Sequence, residues 1–167
     1  TADMLLPELL AACDATPQRT VENTTVNLNT ACNVLAVWDR RFNSESRGAV
    51  LFREWITQYP ADETSIGSSL FQQSFNPMEA ATTPAGLANT ELALDRLARA
   101  ILLLEAEGIG LDTALGNLQI GHRSERQYPV HGGNRHEGIA NLQMSTTVGN
   151  NPTETPIFTG SDEFAGG

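Results

Sequence analysis

The sequence has 167 residues, enough for one ordinary domain, with 40% hydrophobic residues to build a core and only 18% charged. Its net charge is −10 and every basic residue is arginine, a surface that repels phosphate backbones, argues against nucleic acid and steers no anionic substrate. No apolar run approaches the ~18 residues that span a bilayer, and no basic start followed by an apolar stretch marks a leader, so the chain reads as a mature, soluble segment.

Pro7 suits the first turn of a helix running to about Asp14, with Leu9 and Leu10 facing inward. Residues 16–27 are polar and β-branched and read as a loop. Asn27 can cap a second helix whose apolar positions Leu28, Ala31, Cys32, Leu35 and Trp38 keep helical spacing. Ser46 can cap a third helix through Tyr59 that buries Leu51, Phe52, Trp55 and Ile56, and Pro60 ends it. Residues 61–88 read as a long irregular connection. Asn89 or Thr90 then starts the most regular helix, with Leu94, Leu97, Ile101 and Leu104 as its stripe and Gly108 as its C-terminal cap.

The composition changes after that cap. Eleven of the fourteen glycines and all three histidines lie from Gly108 onward. Segments 118–123, 128–131 and 139–144 are short strand candidates separated by turns. Residues 146–167 are polar and punctuated by glycine and proline. They have little to bury alone, and read as wrapping a partner surface or as disordered. The predicted class is therefore α+β: about four helices over 1–108, then short strands and long loops over 109–167.

Few side chains carry a chemical signal. His122, His131 and His136 with Glu125 and Glu137 invite a metal reading, but their spacing is neither a helical His-x-x-x-His nor a finger pattern, and no metal or cofactor is expected. Asp39, Arg40, Arg41, Glu45 and Arg47 read as an ion-paired connection between helices rather than a pair of catalytic carboxylates. Gly132-Gly133 has the outline of an oxyanion loop, yet no Gly-x-Ser-x-Gly elbow accompanies it, so it reads as a turn. Thr1 is formally an N-terminal nucleophile with its own amine as base. The residues after it lead into a helix, not the strand that such a nucleophile opens. Cys13 and Cys32 are either two buried thiols or one disulfide.

Three blocks of residues resemble one known family. The first is Leu5-Leu6-Pro7-Glu8-Leu9-Leu10 followed by Cys13. The second runs from Ala31-Cys32 through Trp38-Asp39-Arg40-Arg41-Phe42 to Ser46-Arg47-Gly48-Ala49-Val50-Leu51-Phe52-Arg53-Glu54-Trp55. The third comprises Gly108-Ile109-Gly110-Leu111-Asp112, Leu115-Gly116-Asn117-Leu118-Gln119, Pro129-Val130-His131-Gly132-Gly133 and Gly138-Ile139-Ala140-Asn141. Thr83-Pro84-x-Gly86-Leu87 also fits. In this order they resemble the large β subunit of the penicillin acylase family, in the branch of the N-acyl-homoserine lactone and aculeacin A acylases. The likeness runs from about Leu5 to Asn141, and the tail after Met144 departs from it.

The resemblance implies part of an N-terminal-nucleophile hydrolase with the αββα fold, assembled as a heteromer. Its precursor cuts itself and frees a serine that attacks an amide carbonyl. That serine, its oxyanion Asn and the acyl pocket belong to upstream segments, so no catalytic or substrate-binding residue maps onto this chain. The implied substrates are N-acyl-homoserine lactones, with β-lactams such as penicillin G or acylated lipopeptides as further candidates. The implied partners are the small α subunit and the Ser-initiated part of the β subunit. The implied location is periplasmic or secreted, which permits a Cys13–Cys32 disulfide. The rival reading is a non-enzymatic helical interaction module of an exported protein.

Overall fold

The computed structural model describes residues 1–59, 70–123 and 126–133, and for 121–123 and 126–127 the backbone alone. Among the described residues, four α-helices are interspersed with three two-stranded antiparallel sheets, an α+β arrangement.

Helix α1 (Ala2–Ala15) buries Leu5, Leu6, Leu9 and Cys13 along one face. It begins earlier than the proline signal suggested, so Pro7 lies inside the helix rather than in its first turn. Pro7 and Asp3 are both exposed, which leaves water to serve the Asp3 carbonyl that a proline cannot bond.

The expected loop at 16–27 is instead a hairpin of β1 (Gln18–Val21) and β2 (Thr24–Asn27), in register from Gln18↔Asn27 to Val21↔Thr24. Its turn residues Glu22 and Asn23 have φ of 51° and 64°, the left-handed pair of a two-residue hairpin turn. Buried Val21 and Val26 hold one face of the hairpin in the core. On that side Arg19 forks between Asp95 and Glu91 of the last helix.

Helix α2 (Asn29–Val37) buries Ala31, Cys32 and Leu35. The N-cap position is Leu28, which makes no side-chain cap, rather than the expected Asn27; the Asn27 side chain still accepts the Asn29 N–H at 2.9 Å from two residues before the helix. A Cys13–Cys32 disulfide, with Cα atoms 6.4 Å apart, joins the end of α1 to the start of α2. It closes a 19-residue separation, for which chain entropy gives roughly 3 kcal/mol. Reduction should therefore lower the unfolding free energy of the purified protein, read from urea titration, by about that amount, and alkylation before reduction should find both sulfurs blocked.

Helix α3 (Ala49–Thr57) is buried on every side from Ala49 to Ile56. Ser46 does not cap it, a correction to the sequence expectation. Its hydroxyl donates to Asp39 Oδ2 at 3.1 Å and accepts the Asn43 N–H, which shapes the preceding loop instead. Gly48 holds the N-cap position at φ +109°, pressed against Trp38. An aromatic series of Trp38, Phe42, Phe52, Trp55 and Tyr59 runs through this region, with ring centroids 5.0–6.3 Å apart. Helix α3 ends at Thr57; Pro60 lies outside the described residues.

The connection expected to be irregular carries a second hairpin, β3 (Phe71–Gln73) with β4 (Ala85–Leu87). Glu8 of α1 accepts the Leu87 N–H at 2.7 Å and anchors it. Helix α4 (Thr90–Ala106) starts as expected, with Asn89 Oδ1 accepting the Leu92 N–H. It ends in a Schellman cap: Gly108 at φ +68° donates to Glu105 O, and Ile109 donates to Leu104 O. Two strand candidates become β5 (Ile120–Arg123) and β6 (Arg126–Pro129). The third candidate, 139–144, and the tail 146–167 lie outside the described residues.

Candidate functional site

Helix α3 reads Val50-Leu51-Phe52-Arg53-Glu54-Trp55-Ile56, an adjacent cation and acid inside an otherwise apolar segment. All seven are buried, so both charges must be satisfied locally. Arg53 Nη1 donates to Gln119 Oε1 at 2.6 Å, Nη2 donates to the Gly132 carbonyl at 3.0 Å, and the guanidinium lies 5.4 Å from the Phe42 ring centroid. Gln119 Nε2 donates to the Val130 and Gly132 carbonyls at 2.8 and 3.1 Å. The Gly132 N–H donates to Phe42 O at 2.6 Å. One buried node thus ties α3, the loop before it and segment 130–133 together.

The node positions backbone and moves no proton, because a guanidinium stays charged. Burial pushes the Glu54 carboxyl above the ordinary glutamate value, and hydrogen bonds from Gln58 and Thr57 oppose that shift. Sequence reasoning passed over Arg53, Glu54 and Gln119. The available signal was a charged pair in a helix too apolar to have a solvent face.

Among the described residues, those singled out by sequence do not converge on one site. The Asp39 cluster is a structured connection: Asp39 Oδ1 accepts the Arg41 N–H, Arg40 pairs with Asp3, and Arg47 donates to the Asp112 carbonyl at 3.0 Å. Its ion pairs reach out to other elements rather than closing on themselves. Gly132 is a buried turn residue at φ +109°, and its N–H is committed to Phe42, which removes it as an oxyanion donor. His131 is exposed. His122 falls on β5, where only the backbone is described, and Glu125, His136 and Glu137 lie outside the described residues. Among the described residues no three His, Cys, Asp or Glu side chains group as a metal site requires.

Thr1 is the N-cap of α1, and its carbonyl accepts the Met4 N–H. Burial pushes its α-amino group below the ordinary value, with Asp3 opposing. It therefore stands at the start of a helix rather than at the start of a strand. No helix among the described residues is long and apolar enough to cross a membrane.

The family model described as penicillin amidase matches residues 1–161. The chain belongs to this family. The match passes Asn141, where the resemblance read from sequence ended, and includes much of the tail after Met144 that was expected to depart from the family. Aculeacin-A acylase of Actinoplanes utahensis is 30% identical over 148 residues, covering 88% of this chain and 18% of that protein. Acyl-homoserine lactone acylase PvdQ of Pseudomonas syringae pv. tomato is 29% identical over 154 residues, covering 89% of this chain and 19% of that protein. Its Pseudomonas fluorescens counterpart is 28% identical over 149 residues. The chain thus spans less than a fifth of the length of these penicillin amidase relatives.

Proposed function

We propose that this chain is a non-catalytic structural part of an exported amide hydrolase that deacylates N-acyl-homoserine lactones. Its family membership, together with its span of under a fifth of relatives named as acylases, carries this reading. In this reading a serine freed at the start of another segment attacks the amide carbonyl. Its own α-amine takes the hydroxyl proton and passes it to the leaving homoserine lactone amine, and water then releases the fatty acid. Residues 1–108 form the helical segment and 109–167 dock on the rest of the enzyme, the small α subunit and the Ser-initiated part of the β subunit. The protein works in the periplasm or outside the cell. Penicillin-type β-lactams and acylated lipopeptides, by analogy with the aculeacin acylase, are secondary substrates.

The half-buried N-terminal amine of Thr1, pushed below its ordinary value by that partial burial, favours one competing reading, in which Thr1 itself attacks. Replacing Thr1 by alanine in the longer precursor separates the two. Release of homoserine lactone from a long-chain substrate should stay near the parent rate, whereas losing the true nucleophile should cost several orders of magnitude. Loss of turnover in Thr1→Ala with assembly intact would move the nucleophile into this chain. Failure of the longer parent protein to hydrolyse any of the three substrate classes would instead favour a non-enzymatic interaction module.

A further inference from the structure

Residues 74–82, between β3 and β4, are exposed side chain by side chain, yet the backbone is fixed. Buried Thr83 does the fixing: its hydroxyl accepts the Asn76 N–H at 2.8 Å and sits within reach of the Asn76 and Glu79 carbonyls. Asn76 Oδ1 accepts the Met78 N–H at 3.0 Å, and the Thr82 and Thr83 N–H groups both donate to Glu79 O. At the base, Glu8 holds Leu87. Despite this order, the loop presents Phe75 at 38% and Met78 at 90% exposure, two of the five large hydrophobic side chains left exposed among the described residues.

We propose that this loop, through Phe75 and Met78, is a docking knob for the remainder of the same acylase polypeptide; this rests on reading the chain as part of a larger enzyme. A backbone already held by its own hydrogen bonds loses little further freedom on contact, which favours association. A thioether side chain adapts to an irregular apolar surface. The occupant follows from length: the chain spans 18–19% of its relatives, so over four-fifths of such a protein has to pack around this segment. A two-stranded hairpin gains independent stability from a further packing surface, and this one projects its apolar tip away from the core.

The test uses the full-length protein and dilute hydrogen peroxide, with sulfoxide at Met78 followed by peptide mass spectrometry. Oxidation in the native protein should be about tenfold slower than in the same protein unfolded in guanidinium, because thioether reactivity follows exposure. Native oxidation within about twofold of the unfolded rate overturns the proposal. A diazirine side chain placed at position 78 identifies the occupant. Cross-links to peptides outside residues 1–167 of the enzyme support the proposal; cross-links confined to 1–167, in the same or a second copy, overturn it. Acyl-amide hydrolysis is assayed on the same sample. Protected Met78 without hydrolysis sinks the acylase reading alone, while hydrolysis with rapid Met78 oxidation sinks the docking knob alone.

Discussion

Gly48→Ala should be strongly damaging, lowering stability by about 4 kcal/mol. Two independent effects combine there. The residue sits at φ +109°, where an L side chain is strained by about 1–3 kcal/mol. The added Cβ would also lie 2.7 Å from Trp38 Cβ and 2.8 Å from Cγ, atoms at the root of a side chain locked into the aromatic series. Neither helix α3 nor Trp38 can retreat, because both are buried. Against a usual total of about 5–15 kcal/mol, such a loss should appear as a collapse of soluble yield and a large fall in the urea midpoint. Gly108→Ala is the internal control. It shares a positive φ but has no atom within 4 Å of the added methyl, so its effect should be clearly smaller.

The second large effect is expected at the buried node. Arg53→Leu keeps apolar volume but strips donors from Gln119 Oε1 and the Gly132 carbonyl, and should cost about 3 kcal/mol. Arg53→Lys should not restore the loss, since one ammonium cannot fork to two acceptors set by a planar guanidinium. The local signature is amide exchange at Gly132, whose N–H is held by Phe42 O. That amide should exchange faster in Arg53→Leu under conditions where amides in the middle of α4 remain protected. Uniform acceleration of all amides would show global destabilisation without a positioning role for Arg53.

The helices were legible because their apolar spacing and their caps agree. Asn89 and Gly108 bracket α4 on side-chain and backbone chemistry that acts within four residues. Asn27 missed the N-cap position by one residue although its side chain does bond the Asn29 N–H, while Ser46 misled because its hydroxyl found Asp39 before it found a helix N–H. The two missed hairpins share a cause. Each has strands of three or four residues, too short to display alternation clearly, and each is held by partners distant in sequence. Arg19 reaches Glu91 and Asp95, and Leu87 reaches Glu8, contacts no local window can contain. The same holds for Arg53, whose meaning depends on Gln119 and Gly132 far along the chain. The disulfide became an expectation only through the resemblance and the exported setting it implied. The two cysteines alone left paired and free thiols equally open.

The central claim is that the reacting nucleophile lies outside these 167 residues. An alkyl sulfonyl fluoride, which sulfonylates a hydroxyl made reactive by a neighbouring base, tests it directly on the purified full-length protein. Activity against a long-chain N-acyl-homoserine lactone and the position of the adduct are followed together, the latter by peptide mass spectrometry. The expected result is one adduct per enzyme on a serine at the start of another segment, forming in step with loss of turnover, with peptides from residues 1–167 unmodified. An adduct on Thr1, or on any other hydroxyl of this chain, that tracks the loss of activity would contradict the claim and make the chain part of the catalytic apparatus.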